Sequence, residues 1–115
     1  MTSRFFKVFC DMLDRTPVRV VLPIAKAECQ MMEDDIAHQR LTPDQDIASV
    51  LSFCRFLSTG RADGEEASNV LPLDHFAFYR NTVERLVEAG ELPDDAKDKF
   101  DTEFLTRLPQ SLQPV

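Results

Sequence analysis

The stretch Thr42-Pro43-Asp44-Gln45-Asp46-Ile47-Ala48-Ser49-Val50-Leu51-Ser52-Phe53-Cys54-Arg55-Phe56-Leu57-Ser58-Thr59-Gly60 decides the fold. Pro43 has no N–H and a fixed φ, which suits the first position of a helix. Thr42 before it and Gln45 after it match a capping box. Asp44 and Asp46 place negative charge at the positive end of the helix dipole. Ile47, Val50, Leu51, Cys54 and Leu57 then recur at helical spacing, and Gly60 stops the run. Phe53 and Phe56 widen the apolar surface beyond what one neighbouring helix covers. The reading is a helix at the centre of a bundle.

Upstream, Leu22, Ala25, Cys29, Met32 and Ile36 are spaced 3, 4, 3 and 4. They predict a helix over about 17–40, kinked near Pro23. Phe5, Phe9, Met12 and Leu13 predict another over 3–14, broken by Thr16-Pro17. Downstream, residues 60–72 are small, polar and acidic and read as a surface loop. Leu73, Phe76, Tyr79, Val83, Leu86 and Val87 predict a helix over 73–89, with Gly90 just past its end. Glu91-Leu92-Pro93 turns the chain into a last helix over 93–108, seamed by Ala96, Phe100, Phe104 and Leu108. So short a link implies an antiparallel helical hairpin. Pro109 and Pro114 end regular structure, and residues 109–115 read as a frayed tail. The expectation is an all-α, compact bundle of five helices, one domain over 1–115.

Of 115 residues, 43% are apolar and 29% charged, an ordinary globular composition. The net charge of −7 is unevenly placed. Arg4, Lys7, Arg15, Arg19 and Lys26 face only Asp11 and Asp14 within residues 1–26, and the remainder is strongly acidic. An acidic body repels a phosphate backbone, so no nucleic-acid partner is expected. The basic segment has two readings: a first helix packed on the bundle, or an arm over 1–22 that touches a membrane or an acidic partner. The apolar run Val20–Ala25 is too short to span a bilayer, and no secretory signal is visible. Cys10, Cys29 and Cys54 are odd in number and widely spaced, and each falls inside an apolar helical pattern, which suits free, buried thiols in a reducing cytoplasm.

Glu28, Glu33, Asp34, Asp35 and His38 form the one cluster resembling a metal site. Asp35-x-x-His38 is a near match to the Glu-x-x-His of carboxylate-bridged bundles, but no second copy exists. Glu84 and Glu88 would have to complete it without a histidine. A solvated face is the simpler reading; a metal-dependent enzyme on Glu28, Asp35 and His38 is the remote one. Asp74 suits a helix N-terminus, and His75 reads as a surface residue or a partner to the acidic loop. Cys29 or Cys54 with a histidine would make a nucleophile pair, but both thiols fall on apolar stripes, where burial makes them inert. Phosphate-loop, dinucleotide, zinc-protease and hydrolase signatures are missing. No catalytic residue, cofactor or resident metal is therefore assigned.

Phe6, Val8, Met31, Phe53, Phe56 and Phe78 lie off the primary seams. They form second packing stripes or line a groove for a partner. The leading expectation is a non-enzymatic helical protein-interaction module, binding a protein partner or a second copy of itself. The alternative is a domain that binds an apolar small molecule or lipid in a Phe/Met-lined pocket.

Overall fold

A computed structural model describes residues 4–61 and 70–113. The chain is an all-α bundle of α1 (Arg4–Arg15), α2 (Val18–Ala37), α3 (Gln45–Thr59), α4 (Leu73–Glu88) and α5 (Ala96–Phe104). Two 3₁₀ turns follow, Leu105–Arg107 and Gln110–Leu112. Most of the 60–72 loop, residues 62–69, lies outside the described residues, as do 114–115 of the tail.

Helix α3 is the centre. Ile47 to Cys54 are all buried, and so are Phe56 and Leu57. Its cap differs from the capping box read in the sequence. Asp44, not Thr42, is the N-cap: its carboxylate accepts from the Ile47 N–H at 2.9 Å. Thr42 stands two residues too early, and its carbonyl accepts from Asp44 N instead. Gly60 closes the helix at φ 75°, in the left-handed region where a side chain would be strained.

Helix α2 runs unbroken through Pro23, which is exposed, so water can solvate the carbonyl its missing N–H leaves free. It ends at a left-handed Gln39, φ 59°, which lets the Arg40 and Leu41 N–H groups return to the Asp35 carbonyl. Its core face is Val21, Ala25 and Met32.

Helix α1 turns differently from its expected seam. Phe6, Phe9 and Leu13 are buried, while Phe5 and Met12 are half-buried at the edge. Helix α1 thus contributes three side chains to the core, and Val21, also within residues 1–22, a fourth. In α4 the buried face is His75, Phe76, Tyr79, Thr82, Val83 and Leu86, and Leu73 is 50% exposed. Helix α5 is shorter than the expected 93–108. Pro93 lies in a turn whose carbonyl accepts from Ala96 N, and the last turn tightens to 3₁₀ geometry before Pro109 forces Leu108 extended. Arg80 grips Asp101 through two bonds of 2.9 and 3.1 Å, and Lys97 meets Glu84 at 3.0 Å, joining α4 to α5. The tail is not frayed up to residue 113. Gln113 donates to the carbonyls of Thr106 and Leu108, folding the chain back on itself.

Aromatic rings fill the middle. Phe53 stacks on Tyr79 at 4.0 Å and meets Phe9 and Phe100 edge-on, both at 6.4 Å. Phe56 meets Phe100 and Phe104, each at 5.5 Å. Edge-on and stacked pairs of this kind add about 0.5–1.5 kcal/mol beyond burial.

Candidate functional site

Among the polar side chains buried with these rings, Ser49, His75 and Tyr79 form one hydrogen-bonded chain. Ser49 is on α3, one turn after Asp46; His75 and Tyr79 are one turn apart on α4. Ser49 Oγ lies 3.0 Å from His75 Nδ1 and 2.9 Å from the Tyr79 hydroxyl. His75 Nε2 lies 3.4 Å from Asp46 Oδ1. One neutral tautomer satisfies the chain: Tyr79 donates to Ser49, Ser49 to Nδ1, and Nε2–H to Asp46. Burial pushes the His75 pKa below its ordinary value, against the pull of Asp74 and Asp46, and pushes that of Tyr79 well up.

Asp46, His75 and Ser49 have the connectivity of an acid–base–nucleophile relay. A nucleophile needs an open face toward its substrate. Here Ser49 is 4% and His75 2% exposed, and the Phe6 ring lies flat on the imidazole at 3.5 Å. The arrangement ties α1, α3 and α4 together. It also corrects the surface reading of His75: the residue sits at a core position four before Tyr79. That spacing, matched by Ser49 beside the α3 seam, is the signal that could have found the cluster.

The metal candidates do not converge. Asp35 is held by Arg40 at 3.0 Å, and the His38 Nδ1 lies 2.8 Å from the Asp34 carbonyl of its own helix end. Glu28 is half-buried, and desolvation raises its pKa. Glu33 accepts from Arg55 of α3 at 3.0 Å, and Glu84 faces Lys97 and Arg80. Among the described residues no group of three or more His, Cys, Asp or Glu side chains is placed to hold a metal ion. The thiols are free. Only Cys54 is buried; Cys10 and Cys29 are half-exposed, which corrects their expected burial. Burial still raises Cys10 to about 12 and Cys29 to about 11, the latter also donating to Glu33 at 3.2 Å.

Of the off-seam apolar residues, Phe6, Phe53 and Phe56 are in the core, each 3% exposed or less. This corrects their candidacy: α3 is enclosed on nearly all sides and needs both stripes for packing. Phe78 is half-buried against Phe6 at 5.8 Å. Val8 and Met31 do face outward, 61% and 50% exposed. Met31 has company that the sequence reading missed. Val20, Ile24 and Ala27 share its side of α2, at spacings of 4, 3 and 4 residues. Val20 and Ile24 are half-buried yet belong neither to the core cluster nor to the side chains packed against it, and Ala27 is exposed. At 100° per residue the four fall within an arc of about 60°, roughly 110° from the core face of the same helix.

Two adjoining clefts open between the end of α3 and the start of α5. One, of about 230 Å³, has a floor of Phe56, Leu57, Leu92 and Ala96. The other, about 630 Å³, is a shallow polar hollow walled by Asp95, Asp98, Lys99 and Glu103. Neither contains a methionine, so neither is the Phe/Met-lined pocket considered from sequence. The apolar cleft is smaller than the usual 300–1,000 Å³ of a ligand pocket. No helix among the described residues is long and apolar enough to cross a membrane. Compared with protein-family models, curated proteins and solved structures, the chain matches none.

Proposed function

We propose that this chain is a non-enzymatic helical protein-interaction module whose contact face is the outer side of α2. The observation that carries it is the stripe Val20–Ile24–Ala27–Met31, apolar and regular in spacing, with Ala27 and Met31 exposed and Val20 and Ile24 half-buried outside the core cluster. An amphipathic helix of a bundle ordinarily turns one apolar face inward and a polar one outward. Helix α2 has a second apolar face, the pattern of anchors by which helices dock on one another. The Asp46–His75–Ser49 chain supports this reading over an enzyme, because Ser49 and His75 are buried and Phe6 lies flat on the imidazole.

A photo-crosslinking amino acid at Ala27, in cells expressing the full chain, tests the proposal. The expected result is one discrete covalent adduct, lost when Ile24 is replaced by Glu and not formed from a control position at Thr102 on α5. Absence of any adduct from Ala27 overturns the proposal.

A further inference from the structure

We infer that the partner of the α2 face is a second copy of this chain, docked antiparallel across a twofold axis; this rests on the reading of that face as a contact surface. The inference comes from the stripe's own symmetry. Its spacings of 4, 3 and 4 read the same in both directions about a centre between Ile24 and Ala27. In an isologous contact each residue meets its counterpart reciprocally. Centred there, Val20 meets the partner copy's Met31, and Ile24 meets the partner copy's Ala27. The large side chain nearest the axis therefore faces the smallest one, which lets the helices approach closely. The longer pair closes each end.

Charge selects the same orientation. The first half of α2, Val18–Ala27, carries Arg19 and Lys26 and no acid. The second half carries Glu28, Glu33, Asp34 and Asp35 and no base. Glu33 and Asp35 are used within the chain, by Arg55 and Arg40. Among the described residues Arg19 makes no ion pair, and the Asp34 carboxylate takes only a long bond from Gln30, at 3.4 Å. Arg19 and Asp34 flank the stripe on the same side, at about −100° and −40° from Val20 on the helical wheel. Antiparallel docking brings Arg19 of one copy beside Asp34 of the other, twice by symmetry. Parallel docking sets base against base and acid against acid, which disfavours it. The seam is short, so the dimer is a weak, reversible one.

Sedimentation velocity over a wide concentration range reads the outcome. The weight-average mass should rise from one chain toward two. Ile24→Glu should keep it at one chain, with an unchanged helical circular-dichroism spectrum, since the side chain is outside the core. Arg19→Glu and Asp34→Arg should each weaken association by about tenfold, because each replaces two attractive pairs by two repulsive ones. The double reversal Arg19→Glu/Asp34→Arg should restore it. A chain that stays monomeric at every concentration overturns the inference, as does a dimer indifferent to both single reversals. A monomer whose Ala27 crosslinks to a different protein overturns self-association alone and leaves the interaction reading standing.

Discussion

Replacing Phe53 by Ala is the most direct test of how this bundle is held together. The ring is fully buried on the central helix, stacked on Tyr79 at 4.0 Å and met edge-on by Phe9 and Phe100. Its removal discards the transfer free energy of the side chain, leaves a cavity between three helices and cancels three ring pairs. Buried Phe→Ala changes cost about 3–5 kcal/mol, and a site walled by rigid rings has little means of collapsing, so the upper half of that range applies. Against a total stability of about 5–15 kcal/mol, such a loss leaves a marginal fold. With a urea dependence of about 2 kcal/mol per molar, the unfolding midpoint falls by roughly 2 M. Phe53→Leu keeps most of the apolar volume and should cost about 1.5 kcal/mol, which keeps the series measurable if the alanine variant is largely unfolded. Val8→Ala, on an outward side chain, should stay within about 0.5 kcal/mol. Urea titrations followed by circular dichroism give all three values. A Phe53→Ala loss below about 1 kcal/mol, or one no larger than that of Val8→Ala, would refute the aromatic core as described.

Three further outcomes follow from the geometry. His75 is neutral in the fold with a lowered pKa, so the unfolded chain binds a proton more readily; stability should be full above about pH 6.5 and decline as pH falls below it. His75→Gln should flatten that decline between pH 7 and 5.5 in denaturant titrations. Asp44→Ala should cost about 1 kcal/mol by removing the α3 cap, and Thr42→Ala less than half of that, in paired thermal melts. A thiol reagent at pH 7.5 should label the native chain slowly, with Cys29 and Cys10 ahead of Cys54, while urea makes all three fast; rapid native labelling of Cys54 would contradict its burial.

The helices were legible because their signals are local. Gly60 needs only its own φ to stop α3, and the 3, 4, 3, 4 spacing of α2 needs only one helix to be seen. What escaped depends on neighbours distant in sequence. Two candidate caps stand two residues apart, and local pattern favours Thr42 although Asp44 reaches the Ile47 N–H. Phe53 and Phe56 looked surplus because the rings that enclose them come from α1, α4 and α5. His75 looked exposed because its cover, Phe6, stands nearly seventy residues earlier. The outer stripe of α2 was half seen: Met31 stood out, but Val20 and Ile24 passed as part of an apolar run until the core showed which residues it had left behind.

The Phe6–His75 stack has a consequence in time. With the ring flat on one face of the imidazole and His75 only 2% exposed, lifting the first turns of α1 uncovers the histidine. Proton exchange at His75 should then follow the opening and closing of that helix, measurable as a change in exchange when Phe6 is replaced by Ala. One aromatic contact thus makes a single histidine a clock for the motion of α1, readable on the timescale of local unfolding, while the rest of the core stays shut.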